Sequence, residues 1–355
     1  VKVAILGDTH FGIRNDNKSF HDYYERFYDG VFFPYLKENG IKRIIQLGDL
    51  FDRRKYINFY TLKRSKEYFF NKIIENDIRM DVFVGNHDTY FKNTNEVNSP
   101  ELLLEDYKDN VFVYSEPQDL DLDGTSVTLL PWICTGNYQQ CIDHINNTSS
   151  QILFGHLELV GFQMYRGAIN DHGMDARIFD KFDMVMSGHF HHKSSRGNIH
   201  YLGTPYEMTW SDYDDPKGFH IFDTETRELE FIQNPHTMFQ KWFYDDTAWE
   251  SFEKLDEFNY DSASKAYVKV IVKNKVNPFW FDTYIDRLEK ADALDIQVVE
   301  DNLNLQLEND EDIVDEAEDT LTILSKFIDQ WDTSVDKTKL NTFLRDLHHE
   351  ALSVE

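Results

Sequence analysis

The chain has 355 residues, 41% of them apolar and 28% charged, with 28 Phe and 19 Tyr. That composition supports a sizeable core and excludes a largely disordered chain. No run of about 18 apolar residues is present, so a transmembrane helix is excluded. Two cysteines, Cys134 and Cys141, make neither a disulfide framework nor a CxxC zinc site and fit a reducing, cytoplasmic compartment. The net charge of −28 argues against a free-standing nucleic-acid binder, because phosphate contacts need cations. The excess is uneven: 25 basic and 36 acidic residues lie in 1–244, and 11 and 28 in 245–355. Such an acidic face suits solubility alone, or metal ions or a basic partner that supply the missing positive charge.

The opening VKVAILGD reads as a strand rather than a signal peptide. Short apolar runs then alternate with longer amphipathic stretches, which predicts an α/β arrangement over 1–235. Strands are predicted at Val1–Leu6, Arg43–Leu47, Asp81–Val84, Val111–Tyr114, Ser126–Leu130, Ile152–Phe154, Met184–Ser187, Ile199–Leu202 and Phe219–Phe222. Helices are predicted near Phe20–Glu38 and Tyr60–Glu75, with Pro34 leaving the first as one helix or two. From 236 to 307 the pattern changes to a small α/β unit: strand Tyr267–Val272, helix Phe279–Lys290, strand Ile296–Glu300. Residues 308–355 hold an acidic linker and a helical pair. Val314, Ala317, Leu321, Leu324, Ile328 and Trp331 step by 3 and 4 along one helix, and Leu340, Phe343, Leu347 and Ala351 continue the stripe on a second. Such a stripe suits a hairpin packed on its own domain or a docking surface for a partner helix.

Five short motifs follow predicted strands: Asp8-Thr9-His10, Gly48-Asp49, Gly85-Asn86-His87-Asp88, Gly155-His156 and Gly188-His189-Phe190-His191. In a mostly parallel α/β sheet, residues just past the carboxyl ends of strands converge on one edge. Carboxylate, amide and imidazole donors without thiolate suit divalent ions such as manganese, iron or zinc. Seven donors exceed one tetrahedral site and suit two ions about 3.5–4 Å apart that share a carboxylate. The glycines before the donors fit strands that must turn sharply.

This ordered set resembles the calcineurin-like metallophosphoesterases, and within them the SbcD-type DNA repair and recombination nucleases, tailed-phage members included. GDLFDRRK (48–55), LLPW (129–132), GHLELVGF (155–162) and the run from Gly203 to Thr226 support the narrower match. The resemblance covers about 1–235 by motif and the remainder by architecture only. It implies a four-layer α-β-β-α sandwich, a small α/β capping, DNA-recognition domain and a C-terminal helical pair. It also implies two divalent ions, manganese foremost with magnesium as a substitute. Asp8, His10 and His191 would hold one ion, and Asn86, His156 and His189 the other, with Asp49 bridging. His87 would face the scissile phosphate and Asp88 would orient it. In many archaeal and eukaryotic relatives a histidine stands where this chain has Asp52, so that residue's role does not transfer.

The implied activity is exonuclease on duplex ends and endonuclease on single strands. It would serve recombination and break repair with a coiled-coil SbcC-type ATPase, in the host cytoplasm if the chain is phage-encoded. The ATPase would seat on Leu321, Leu324, Ile328, Trp331, Leu340, Phe343 and Leu347. Arg53, Arg54, Lys55, Lys92, Lys193 and Arg196 fall on loops expected to rim the metals and are candidates for DNA phosphate contacts. Tyr90, Phe91, Tyr165 and Tyr206 are candidates for base stacking. The aromatic stretches Phe20–Phe33 and Tyr60–Ile74 suit either core packing or a homodimer contact inside a heterotetramer. Two other readings stay open: a phosphoprotein phosphatase or small phosphodiester hydrolase, and a non-catalytic scaffold. Phosphatases of this fold typically read GDxxDRG and GNHE, where this chain has GDLFDRR and GNHD. A scaffold would be expected to have lost ligands.

Overall fold

The chain divides into two units, Val1–Asn302 and Leu303–Glu355. The computed structural model describes residues 1–300 and Lys337. The docking stripe from Leu321 to Leu347 therefore lies outside the described residues.

Seventeen strands are described: β1 Lys2–Leu6, β2 Arg43–Gln46, β3 Arg79–Phe83, β4 Val111–Tyr114, β5 Gln118–Leu122, β6 Thr125–Leu130, β7 Ile152–His156, β8 Gln163–Tyr165, β9 Ala168–Ile169, β10 Met184–Gly188, β11 Ser194–Arg196, β12 Ile199–Tyr201, β13 Gly218–Asp223, β14 Leu229–Gln233, β15 Phe239–Asp245, β16 Tyr267–Asn274 and β17 Asp295–Glu300. Two six-stranded sheets carry the first 235 residues, ordered β14-β13-β1-β2-β3-β4 and β11-β12-β10-β7-β6-β5. β1, β2, β3 and β4 run parallel, as do β6, β7, β10 and β12.

Period-two alternation assigns the layers. Val3, Ile5, Ile45, Leu47 and Phe83 from the first sheet meet Val127, Leu129, Ile152, Phe154 and Met186 from the second in one buried core. The alternate residues Ala4, Leu6, Ile44, Met80 and Val82 face helices that carry Phe20, Tyr24, Phe27, Phe69 and Phe70. On the far side Leu130, Leu153 and Val185 pack against Cys141 and Ile145 of helix Tyr138–Asn147. The layers are thus α-β-β-α, as expected.

Pro34 does not simply split the first helix. Helix Lys18–Phe27 runs through a π-helical turn at Tyr28–Phe32 into helix Phe33–Glu38, with Pro34 at the start of the last segment, where a missing N–H is tolerated. A second π turn, Lys66–Phe70, joins Phe59–Ser65 to Asn71–Glu75. The two wide turns meet through Tyr28, whose ring lies 4.7 Å from Phe69 and 5.8 Å from Tyr68, stacked on the latter. The aromatics of both stretches are therefore largely core, and Tyr206 joins them, stacked 3.6 Å from Tyr24 rather than placed for a base.

Beyond residue 235, β15, β16 and β17 form a parallel three-stranded sheet. Helix Pro278–Lys290 covers one face of it through Phe281, Tyr284 and Leu288. The expected β-α-β is present with an additional strand, β15.

His21 gives a test of this packing. Its ring nitrogens lie 3.1 Å from the Tyr68 hydroxyl and 2.8 Å from Thr61 Oγ1. Burial, with the nearby Arg64 cation, holds it down from 6.5 to about 4. A depressed folded value means its contribution to stability is full above pH 6.5 and is lost as pH falls through about 4. Between pH 7 and 5 the His21→Gln variant should therefore lose about 2 kcal/mol less stability than the parent in urea denaturation. Equal losses would contradict a buried neutral imidazole.

Candidate metal centre

All five motifs sit at the carboxyl ends of parallel strands. Asp8 and His10 follow β1, Asp49 follows β2, Asn86 and His87 follow β3, His156 ends β7, and His189 and His191 follow β10. Because the two sheets face each other, both sets of strand ends open on the same edge.

The donors converge. Asp8, His10 and His191 form one cluster of metal-ligating atoms, Asp49, His156 and His189 a second, and His10, Asp49 and His87 a third that joins them. Asp49 Oδ2 lies 3.3 Å from His156 Nε2 and 3.7 Å from His10 Nε2, which places it between the first two. Asn86 Oδ1 lies 2.9 Å from His156 Nε2 and 3.0 Å from His189 Nδ1. His191 Nε2 is 3.2 Å from His10 Nε2.

The backbone is bent to achieve this. His10, Asp49 and His189 have φ of 41°, 51° and 81°, left-handed values that side chains other than glycine seldom take. The glycines before the donors do two different jobs. Gly48, at φ 92°, supplies the turn. Gly85 and Gly188 make room instead: a Cβ on them would come within 2.2 Å of Asp49 Oδ1 and 2.4 Å of Asp8 Oδ1.

The donor set fits divalent ions, and the electrostatics agree. The Asp8 carboxyl is raised by burial and by Asp49 beside it. Burial also opposes ionisation of Asp49, but His156, His87 and His10 outweigh it and hold that carboxyl well below its ordinary range. His156 is depressed by burial, yet Asp49 and Asp8 carry it up to about 9. His10 is likewise opposed by burial and raised to about 10 by Asp52, Asp49 and Asp8. Two buried carboxylates thus create a field that attracts positive charge. His189 stays neutral, held low by burial and by His156, as a ligand must be. With Nδ1–H donating to the Leu47 carbonyl at 2.7 Å, His156 directs Nε2 at Asp49 and Asn86, and Nε2 is the nitrogen that would give up its proton to a metal ion.

The structure corrects the expected role of Asp88. Its carboxylate accepts from the backbone N–H groups of Leu50, Phe51 and Gly85 at 3.0, 3.2 and 2.9 Å. It therefore ties the Asp49 loop to the Asn86 loop, and burial, then Asp49, pushes it up to about 7. The partner of His87 Nδ1 is the Asp52 carbonyl, 2.7 Å away. Asp52 also sets Oδ1 3.2 Å from His10 Nδ1, so it meets both His10, a candidate ligand, and His87. From the sequence Asp52 was expected at most to cap or brace its loop; its contact to His87 was hidden, because a backbone carbonyl has no signature in the residue type.

Lys217, in the Gly203–Thr226 run, was missed as well. It is buried between Asp212 and Asp215, at 2.7 and 2.9 Å, and donates to the His191 carbonyl at 2.8 Å. A lysine clasped by two carboxylates thus pins the backbone of His191, a candidate ligand. Lys217→Met is expected to weaken manganese binding about 10- to 100-fold in calorimetric titration. An unchanged affinity would reduce the triad to core stability.

The six basic candidates separate. Arg54 donates to Thr89 through Nε and Nη2, both at 3.0 Å, and braces the His87 loop. Arg196 donates to the Gly161 and Val160 carbonyls and lies over the Phe162 ring. Lys193 sits over Phe231 and Arg53 contacts Asn15 and Asp16. Lys55 and Lys92 are exposed. Among the stacking candidates other than Tyr206, Tyr90 and Phe91 are exposed and in edge contact at 4.8 Å, and Tyr165 is half-buried.

With this geometry in view, the family model for calcineurin-like phosphoesterases matches residues 1–193. Exonuclease subunit 1 of Enterobacteria phage T4 is 37% identical over 246 residues, which cover 69% of this chain and 71% of that protein. The SbcD subunit of the SbcCD nuclease of Staphylococcus epidermidis is 24% identical over 263 residues, 64% of this chain and 67% of that one. A matched domain longer than half the chain, carrying each expected ligand at the end of its strand, makes this protein a member of the calcineurin-like phosphoesterase family.

Proposed function

We propose that the chain is a two-metal DNA nuclease that works with an SbcC-type coiled-coil ATPase. It would act as an exonuclease on duplex ends and an endonuclease on single strands. The observation that carries the reading is the pair of donor clusters joined at Asp49. Asp8, His10 and His191 would hold one ion, Asn86, His156 and His189 the other, and Asp49 both. Bound divalent ions supply an activated water and neutralise charge on the phosphate oxygens. The chain's own part is positioning and one proton. His87 Nδ1 is committed to the Asp52 carbonyl, which leaves Nε2 to donate to the phosphate or to the departing oxygen. The His87 ring stands edge-on to His10, at 4.7 Å, so that nitrogen stays beside the ligands.

The narrower substrate class is supported by the names of the relatives, an exonuclease subunit and a nuclease subunit. The ATPase partner is supported by the net charge of −28, which leaves DNA affinity to another subunit. Residues 236–307 would be the capping domain and 308–355 the docking segment. Hydrolysis of linear duplex, single-stranded circles and a chromogenic diester with manganese tests the activity. Turnover of the diester alone would point to the small-diester reading. Elemental analysis should return two ions per chain.

A further inference from the structure

We propose that the cleft floored by Trp132 is a nucleobase subsite, taking the base next to the scissile phosphate against the indole. The inference rests on the nuclease reading above and names what that site holds beside the phosphate.

Trp132 closes the LLPW run, which the metal centre does not use. Its backbone is locked in place: its N–H donates to the Val84 carbonyl at 2.7 Å, and its carbonyl accepts from Asn95 Nδ2 and Asn137 Nδ2, both at 2.9 Å. Both asparagines are buried. The indole stands 5.2 Å from the His189 ring and 5.9 Å from His156, against two ligands of the metal centre. It also lines a cleft of ≈ 460 Å³ together with Lys92, Ile133, Cys134, Thr135 and Tyr138. The wall opposite is coupled to it, because Gly136 N–H donates to the Asn93 carbonyl at 2.8 Å. A side chain at 136 would not fit, since its Cβ would come within 2.6 Å of that oxygen.

The lining is chemically selective. Tyr138 is 51% exposed at the mouth, and Tyr90 and Phe91 lie on the loop that carries Lys92. Flat apolar surface on a rigid floor suits the π-face of a base, and a lysine at the rim suits its phosphate. Lys92 makes no hydrogen bond or ion pair among the described residues, unlike Arg53, Arg54 and Arg196, which are engaged internally. Trp132 Nε1, Thr135 Oγ1 and the Tyr138 hydroxyl belong to the same lining, so a base stacked there would meet polar groups beside the indole face.

The alternative is that Trp132 only props the ligand histidines, and two diesters separate the cases. Thymidine 5′-(p-nitrophenyl phosphate) carries a nucleoside, and methyl p-nitrophenyl phosphate does not. The wild type should prefer the first in kcat/KM, and Trp132→Leu should reduce that preference roughly 5- to 150-fold. Tyr138→Ala should move the ratio in the same direction, and Trp132→Phe should keep most of it. If Trp132→Leu slows both substrates by one factor, the preference is unchanged and the subsite is overturned. Binding of thymidine 5′-monophosphate in calcium gives a readout without turnover: it should weaken by a similar factor in Trp132→Leu, and equal affinity would again overturn the proposal. A wild type that prefers the thymidine diester but leaves DNA intact would refute the nuclease reading while sparing the subsite. DNA cleavage without nucleoside preference would do the reverse.

Discussion

His87→Ala is expected to lower kcat on a DNA or diester substrate about 10²- to 10⁴-fold while metal content stays at the wild-type value. The separation follows from the atoms involved. His87 reaches Asp49 through its backbone N–H, which donates to Oδ1 at 2.7 Å, and alanine keeps that N–H. The side chain contributes only the ring, with Nδ1 on the Asp52 carbonyl and Nε2 for the substrate. Removing it takes away a proton donor near the phosphate but no ligand of the two main clusters. The comparison is steady-state kinetics beside metal analysis of the same preparation. A variant with normal turnover would refute the role, and one that lost an ion would make His87 a ligand. Since the third donor cluster includes His87 with His10 and Asp49, that second outcome is a real competitor.

The convergence of the candidate ligands was readable in the sequence because each follows a strand whose apolar run announces its end. All eleven predicted strands match observed ones, nine of them in 1–235, and the topology does the rest, since parallel neighbours put their carboxyl ends on one edge. Strands without such a run stayed hidden. β5 reads QDLDL, mostly exposed at a sheet edge, and β15 mixes FQKWFYD across a half-buried surface. The supporting contacts were hidden for another reason. Asp52 acts partly through its backbone carbonyl, Asp88 through three amides, and Lys217 across 26 residues to a carbonyl. None of these depends on a spacing that a motif displays. Two of the basic candidates have internal partners that no spacing displays: a guanidinium in a loop looks available until its acceptors, here Thr89 for Arg54 and Gly161 for Arg196, are folded beside it.

The division of labour between ligands and their supports also explains why single substitutions here should give different signatures. Asp8 accepts from the His189 N–H through both carboxylate oxygens, at 3.0 Å each, and so connects the β1 and β10 ends before any ion is considered. Asp88 similarly connects the β2 and β3 loops. Loss of either would move ligands relative to one another. Loss of the His87 ring would remove its contact to the Asp52 carbonyl and leave both of these ties in place.

Asp49→Asn is expected to drop bound metal below two ions per chain and to reduce turnover by at least about 10³-fold, some 4 kcal/mol of barrier. Asparagine is the informative choice because Asp49 sits at φ 51°, a conformation Asn tolerates, so the loop should survive. Its two oxygens are not equivalent. Oδ1 accepts the His87 N–H, whereas Oδ2 is the atom nearest both His156 Nε2 and His10 Nε2. In the variant the amide oxygen must remain on the His87 N–H, since an amide nitrogen there would oppose two donors. The NH₂ then falls where Oδ2 stood, and it offers no lone pair to a cation. The negative charge that holds His156 and His10 up is removed in the same step. Circular dichroism should show an intact fold while elemental analysis shows the missing metal. Retention of two ions with normal turnover would mean that Asp49 does not bridge, and the two clusters would have to be rebuilt around separate centres.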